Sequence, residues 1–437
     1  MIQIKYQILL FQFLIIALLY IKSINSISIN GAKLEKHVAS KPNNQIRIEP
    51  NTNDKIFFEE NKNETIFTSE KIPVKYWRNK KKEALQQRIE NEIDYNSSST
   101  IVVTSNKFRF YDQLNSNEKQ IYDILYANSI KPEPNLEITI VISKITDIYA
   151  FIDELVISAE KIFTVLSYEN PELWWIGTYQ FVVLTTQSID QYIVNFYTIP
   201  EDSTFYGYNS TDIYYINQEI ESEKNKIMDN ISNLNITSPY AIMRYLHDYL
   251  ITNIVYTLDE NKKHIRTLYG ALVENECVCE GYSEAFQYLT QQYGINCIVA
   301  RSSTHEWNFV EINNKWYIMD VTYDDPMING EYTPSGLNEN LRLDYFLIGT
   351  DDKVTKNSKY YEEVNHILIY SGFSDKEMVT YPNIEKTYYV PSDMELNEIF
   401  SMDLSSPSTY SNIKTMYDNN KNSYKNNEYD RTFKNTH

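Results

Sequence analysis

The chain has 437 residues, of which 42% are apolar, and 59 acidic against 40 basic side chains give a formal net charge of −19. That length allows two or three domains with a substantial core. The negative charge argues against duplex DNA or RNA as a partner, because phosphate binding draws on clustered Lys and Arg. Three cysteines are too few for a disulfide-dense scaffold.

The N-terminus predicts a secretory signal peptide over residues 1–26. Lys5 precedes an apolar run at residues 8–21, and a short polar stretch ends at Ser26. The run is shorter than the roughly 20 residues that a membrane-spanning helix needs. We therefore expect cleavage near Ser26 and a secreted, extracellular protein. The alternative is a retained anchor at residues 8–21, and only then do we expect a membrane contact.

Composition divides the remaining chain into four segments. Residues 27–105 are rich in Asn, Lys and Glu and predict a polar, partly disordered leader, and residues 386–437 predict a low-complexity polar tail. Between them, residues 106–235 and 236–385 predict two parts of a mixed α+β fold. A secreted eukaryotic chain would carry glycans at some of its five sequons, which are Asn63, Asn96, Asn209, Asn230 and Asn235.

Hydrophobic periodicity predicts regular elements from Phe108 onward. Strands are expected at residues 136–142, 174–176, 181–184 and 193–196, and a helix at residues 150–166. Two more helices are expected, one at residues 213–231 and one that begins at Ser238-Pro239. Ser before Pro is a helix-start signal, because the hydroxyl caps free backbone N–H groups and Pro needs none.

A helix with one apolar face is predicted to begin at or just before Cys279. Apolar side chains recur at steps of three and four up to Gly294, a natural C-terminal stop. Unpaired N–H groups and the helix dipole at such an N-terminus favour a thiolate over a thiol. The same N–H groups are suited to stabilise an oxyanion.

A β-hairpin is predicted to follow, with Asn313 and Asn314 as its two-residue turn. Asn tolerates the positive φ angles that such a turn demands. If these two residues form the turn, opposing residues sum to 627. His305 and Asp320 then lie on the same face as diagonal neighbours, whereas a slip of one residue would put them on opposite faces.

A thiol at a helix N-terminus, a histidine and an orienting acid together suit nucleophilic acyl chemistry. Each residue alone has an ordinary structural interpretation: Cys279 as a small buried side chain, His305 as a satisfied core histidine and Asp320 as a turn cap. Their combination favours a site over three unrelated structural residues.

These residues also carry a resemblance to a known family. The segments Cys279-Glu-Gly-Tyr-Ser-Glu-Ala-Phe286, His305-x-Trp-Asn308 and Trp316-Tyr-x-x-Asp320-x-Thr-Tyr-Asp-Asp-Pro326 resemble the transglutaminase-like superfamily. The most similar branch is that of the kyphoscoliosis-peptidase-like proteins of microbes and fungi. The resemblance spans residues 118–350, and its specific motifs lie within residues 240–350. Tyr323 stands where this family often has Trp.

The resemblance implies an α+β core at residues 236–385, with the cysteine helix packed on an antiparallel sheet. It implies Cys279 as nucleophile, His305 as base and later acid, and Asp320 as orienting carboxylate. It identifies no side-chain oxyanion donor. The implied activity is acyl transfer on peptide or glutamine-type amides of a protein or peptide substrate, such as a cell-wall or extracellular one, with no cofactor. We favour a peptidase or amidase; the alternatives are a cross-linking transglutaminase and an inactive extracellular binding module.

The sequence gives weaker indications about metal binding and disulfide bonds. Zinc is not expected, because Cys277 and Cys279 lack a second Cys/His pair at structural-site spacing. The acidic pairs 324–325 and 351–352 do not fit a calcium loop and are expected to be turn caps and solvated charges. His247 and Asp248 are expected to be ordinary helix residues that point apart. Cys277 and Cys297 are expected either as buried thiols or as one disulfide.

Overall fold

The structure is a computed structural model that describes residues 45–48, 56–61, 64–74, 108–143, 147–186, 190–199, 205, 207–325, 343–353, 359–362, 364–372, 374 and 376–400. The predicted signal segment, Asn63, Asn96, Pro326 and the tail from residue 401 lie outside these ranges. Within the described residues, no helix is long and apolar enough to cross a membrane.

Helices and antiparallel sheets are mixed along the described chain, which fits the α+β class. The strands are β1 (Gln45–Ile48), β2 (Ile56–Asn61), β3 (Glu64–Ser69), β4 (Ile72–Pro73), β5 (Glu137–Ser143), β6 (Thr178–Thr186), β7 (Gln191–Thr198), β8 (Val255–Tyr256), β9 (Glu276–Cys277), β10 (Cys297–Arg301), β11 (Glu306–Ile312), β12 (Lys315–Met319) and β13 (Phe346–Ile348). The helices are α1 (Ser116–Ser129), α2 (Ile148–Glu169), α3 (Ser210–Asn233), α4 (Pro239–Asn253), α5 (Cys279–Gln291) and α6 (Asp393–Phe400).

A larger sheet has the strand order β1-β2-β3-β6-β7-β5, and β4 also pairs with β6. Buried and partly buried residues alternate along β6, as expected for a strand with one face on the core. The prediction of a strand at residues 174–176 was wrong. Trp174 lies in a turn after a short 3₁₀ helix, and its indole N–H donates to Asn217 Oδ1 over 2.8 Å.

Two polar segments are more ordered than composition alone predicts. Within the leader, β2 and β3 form a hairpin, and β3 extends the larger sheet by pairing with β6. Within the tail, the Tyr389 N–H donates to the Leu347 carbonyl, and Glu398 accepts hydrogen bonds at the start of α4. Partners that are distant in sequence supply this order, and local composition does not reveal them.

The smaller sheet, β10-β11-β12-β13, carries the predicted hairpin. Its register pairs Ile312 with Lys315 and Asn308 with Met319, so the predicted sum of 627 is confirmed. Asn313 and Asn314 adopt φ angles of 54° and 61°, as the tight turn requires. Helix α5 packs on β10 and β11, and α4 packs on α5.

The sequons differ in their surroundings where the structure describes them. Asn230 is buried within α3, so the folded protein cannot accept a glycan there. Asn209 caps the N-terminus of α3 with its side chain, and Asn235 is exposed after the helix. Of these three positions, Asn235 is the one best suited to carry a glycan.

Candidate active site

Cys279 is the first residue of α5, and the residues before it fix its position. Strand β9 pairs in parallel with β8, and the Val278 N–H then donates to the Ile265 carbonyl over 2.8 Å. Val278 occupies the N-cap position and provides no side-chain cap. The first N–H groups of α5 therefore have no side-chain cap from Val278, and the Gly281 N–H donates to the Val278 carbonyl over 3.0 Å.

The three cysteines are buried and unbridged, but they differ in access. Cys279 keeps 7% of its surface exposed, against 0% for Cys277 and 3% for Cys297. Burial raises the pKa of Cys277 well above the ordinary thiol value and that of Cys297 to about 12. Both therefore stay protonated near neutral pH. Only Cys279 lies beside a histidine.

Gly281 allows β9 and α5 to meet tightly. A Cβ atom at this position would lie 2.7 Å from Cys277 Sγ and 3.3 Å from the Thr267 carbonyl oxygen. No side chain fits in that space without moving the backbone. The glycine in the Cys-Glu-Gly segment thus has a packing reason, which is to seat the first turn of α5 against Cys277.

His305 forms the link between the sulfur and the carboxylate. Its Nε2 lies 2.8 Å from Asp320 Oδ2, and its ring lies beside the Cys279 side chain. Burial disfavours the imidazolium, but the charges of Asp320 and Cys279 outweigh burial and raise the pKa of His305 to about 10. The Ser302 hydroxyl accepts from the His305 N–H over 2.9 Å and fixes the loop before β11.

Asp320 follows β12 and is fully buried. Burial alone would raise its pKa, but the charge and hydrogen bond of His305 outweigh burial and hold the pKa of Asp320 far below its usual range. The carboxylate also accepts from Tyr360 Oη at 2.7 Å and from the Tyr323 N–H at 3.1 Å. His366 Nε2 lies 3.5 Å from Oδ2, which is longer than a good hydrogen bond.

Aromatic rings hold the imidazole of His305 in place. The Trp307 and Tyr323 rings stack with it at centroid distances of 5.6 and 4.8 Å. Tyr323, at the position where the resembled family often has Trp, therefore keeps an aromatic contact with the histidine. Stacked neighbours limit ring rotation and hold Nε2 toward Asp320.

The structure thus brings together the three predicted site residues, and it adds two that the sequence reasoning missed. Tyr360 and His366 lie in two short 3₁₀ turns, Tyr360–Glu362 and Val364–His366. No motif or periodic spacing relates them to Asp320, so the sequence offered no signal for their proximity.

The expectation that His247 and Asp248 point apart was wrong. His247 Nδ1 lies 2.9 Å from Asp248 Oδ1, and its Nε2 lies 3.0 Å from Asp324 Oδ2. Arg244 Nε donates to Asp248 from one turn earlier on α4. All four side chains are buried. Burial disfavours the charged imidazole, but the two carboxylates outweigh it and raise the pKa of His247.

The first acidic pair is also not solvated. Asp324 bonds His247 as described above, and Asp325 accepts from the Tyr282 hydroxyl over 2.8 Å. In the second pair, Asp352 accepts from the Gly349 N–H and caps a turn, as expected. Asp324 and Asp325 thus make buried hydrogen bonds that support the loop that carries Asp320.

One set of metal-binding side chains exists among the described residues, and the sequence analysis did not predict it. The ligand atoms of His305, Asp320 and His366 lie within 4.8 Å of one another. Two imidazoles and a carboxylate suit a divalent transition metal. In the structure, His305 and Asp320 of this set hydrogen-bond each other at 2.8 Å.

No protein family matches this sequence, and no curated protein matches it. A solved structure described as the crystal structure of a TGase is similar over 53% of this chain and 60% of that chain. Its TM-score is 0.24 and its sequence identity is 11%. The chain therefore spans less than two thirds of that structure's length. A likeness at this level supports no conclusion about fold or activity.

Proposed function

We propose that this protein is a secreted, thiol-dependent acyl-transfer enzyme that hydrolyses peptide or glutamine-type amide bonds. The observation that carries the proposal is the position of His305, which lies beside the Cys279 side chain and hydrogen-bonds Asp320. This arrangement is the one that activates a cysteine nucleophile. Export is supported by the N-terminal apolar run at residues 8–21.

The reaction begins when the Cys279 thiolate attacks the carbonyl carbon of the amide. The C–S bond forms as the carbonyl π electrons move to oxygen, and backbone N–H groups in the first turn of α5 stabilise that oxyanion. As the tetrahedral intermediate collapses, the C–N bond breaks and the His305 imidazolium gives its proton to the leaving nitrogen. Ammonia or an amine departs, and an acyl-thioester remains on Cys279.

Water completes the cycle. His305, now neutral, accepts a proton as water attacks the thioester, and the acid product leaves with the thiolate and imidazolium restored. Asp320 remains ionised throughout, since its low pKa keeps it so. Its role is to hold the Nε2–H tautomer and to support the imidazolium charge. A lysine amine in place of water would give a cross-linked product.

The direct test is labelling with a thiol-reactive amide-mimicking probe at neutral pH. We expect one label per folded chain, none on Cys279→Ala, and full labelling on the matched control Cys297→Ala. Labelling that survives Cys279→Ala would overturn the assignment. A probe-silent protein that folds normally would support a binding module that keeps the fold without the chemistry.

A second measurement separates hydrolysis from transfer. Glutamine-containing peptides are incubated with and without an added primary amine, and released ammonia and amine-coupled product are measured. We expect free acid as the main product in both cases. A product that is mainly the amine conjugate would identify a cross-linking transferase that uses the same three residues.

A further inference from the structure

The carboxylate of Asp320 accepts more hydrogen bonds than an orienting acid with a single histidine partner needs. His305 Nε2 and Tyr360 Oη both approach Oδ2, at 2.8 and 2.7 Å, while the Tyr323 N–H approaches Oδ1. Tyr360 is fully buried, so water does not compete for this contact. A buried charge-assisted hydrogen bond of this length is strong and directional.

The Tyr360 ring is itself held on several sides. His366 stacks on it with centroids 3.7 Å apart and an interplanar angle of 26°, and Trp307 meets it edge-on at 5.9 Å. His366 also places Nε2 3.5 Å from Asp320 Oδ2. The two rings therefore form one rigid block against the carboxylate.

The turns that carry these rings are tied to both sides of the site. The Thr304 hydroxyl, next to His305, donates to Asn365 Oδ1 over 2.8 Å. The Asn365 amide in turn donates to the Tyr323 hydroxyl over 3.0 Å. The Val364–His366 turn thus contacts the loop before His305 and the loop after Asp320, and it sets their relative positions.

From these contacts we infer that Tyr360 and His366 are positioning residues, which fix the rotation of the Asp320 carboxylate and so the direction of its bond to His305. Tyr360 acts by donating to Oδ2, and His366 acts by holding the Tyr360 ring. Neither residue contacts the sulfur in any described interaction. The kinetic part of this inference rests on the proposed acyl-transfer function, while the hydrogen-bonding part does not.

The charge on Asp320 determines in which direction the His305 Nε2–H resonance should move when the Tyr360 hydroxyl is removed. A hydroxyl that donates to Oδ2 takes up part of the carboxylate charge, so its removal leaves more charge for the His305 Nε2–H. The other groups that face His305 are Cys279, Trp307, Tyr323 and His366. None of them is altered by Tyr360→Phe, which removes one oxygen and keeps the ring.

The experiment compares Tyr360→Phe with Tyr361→Phe by proton NMR and steady-state kinetics. Tyr361 is the matched control because its ring lies beside that of Tyr360, 5.8 Å away, while no described contact links it to Asp320. In Tyr360→Phe we expect the low-field resonance of the His305 Nε2–H to move further downfield. We also expect kcat to fall about tenfold with KM nearly unchanged, because a misdirected Asp320 carboxylate orients the His305 imidazole less well for proton transfer. Tyr361→Phe should match the wild type in both.

An unchanged resonance and an unchanged kcat in folded Tyr360→Phe would overturn the inference. If that variant does not fold, His366→Asn provides the second measurement, since it removes the ring that supports Tyr360 and should shift the same resonance. A wild-type protein that turns over no amide, but whose resonance moves in Tyr360→Phe, would refute the proposed function and keep the positioning contact.

Discussion

Two buried histidines of this protein have similar surroundings and different consequences. His305 lies between Cys279 and Asp320, and His247 lies between Asp248 and Asp324. In both cases neighbouring negative charge outweighs burial and raises the imidazole pKa. A histidine beside a carboxylate is therefore not by itself a sign of catalysis.

The difference lies in the second partner and in access to solvent. His305 has a thiol as its second partner, and both groups keep a small exposed surface. His247 has a second carboxylate as its partner and is fully buried. Together with Arg244 it balances the negative charge of the two carboxylates. The first arrangement is the one that the proposed function requires, whereas the second holds α4 against the loop at residues 320–325.

Replacing each histidine by Asn should separate these roles most clearly. His305→Asn removes the general base and acid, so we expect kcat/KM to fall by about 10³–10⁴-fold with the fold intact. His247→Asn leaves two buried carboxylates with one cation fewer, so we expect a loss of about 3–5 kcal/mol in unfolding free energy. Activity per folded molecule should remain close to that of the wild type.

Denaturant unfolding and active-site titration of the same samples provide the measurements. Active-site titration counts folded, competent molecules, so a loss of stability is not mistaken for a loss of chemistry. If His247→Asn lost activity per titrated site as strongly as His305→Asn does, the two clusters would belong to one catalytic system, and the contrast would be wrong.

Asp320→Asn should give the next largest effect, and its sign follows from the charges. The carboxylate is the leading cause that raises the pKa of His305 to about 10 against burial. Its neutralisation should lower that pKa toward or below the ordinary value of about 6.5. The alkaline limb of kcat/KM, which reports loss of the imidazolium, should therefore move to lower pH, and kcat should fall by about 10²–10⁴-fold.

The same pKa has a consequence for stability. Because the folded pKa of His305 lies above its unfolded value, its contribution is fully present below about pH 6.5 and is lost as pH rises through about 10. In Asp320→Asn, the unfolding free energy should therefore fall less as the pH rises toward 10. If stability is lost over the same pH range in Asp320→Asn as in the wild type, a group other than His305 causes the loss.

The hairpin and the cysteine helix could be predicted because their signals are local. Two Asn residues fix a two-residue turn, the turn fixes the register, and the register puts residues 305 and 320 on one face. The start of α5 could be predicted at Cys279 because its apolar spacing is regular; the helix ends at Gln291, and Gly294 closes the turn after it with a φ of +68°.

Other contacts could not be predicted, and the physical reasons are specific. Helix α4 is buried nearly all round, so the rule that adjacent helix residues face apart did not exclude a bond between His247 and Asp248. Tyr360 reaches Asp320 across 40 residues, and β3 pairs with β6 across more than 100. Such pairings depend on tertiary packing, which no local pattern encodes.

A smaller effect is expected from Gly281→Ala, at the junction that seats Cys279. The added Cβ would lie 2.7 Å from Cys277 Sγ, so either the strand or the first turn of α5 must move. We expect a loss of about 1–3 kcal/mol in unfolding free energy, as for other overpacked sites. Probe labelling of Cys279 should also slow. Gly294→Ala, a control glycine with open space around it, should leave the labelling rate unchanged.

The smallest effect concerns how α4 and α5 begin. The Ser238 hydroxyl caps α4 by accepting from the Ala241 N–H over 3.2 Å, whereas Val278 provides no such cap for α5. Ser238→Ala should therefore cost about 1 kcal/mol, and Ser238→Asn, which keeps a capping oxygen, much less. Neither should change the labelling rate of Cys279. If Ser238→Ala slowed labelling without loss of stability, the two helix starts would be coupled, and α4 could not be treated as a purely structural support.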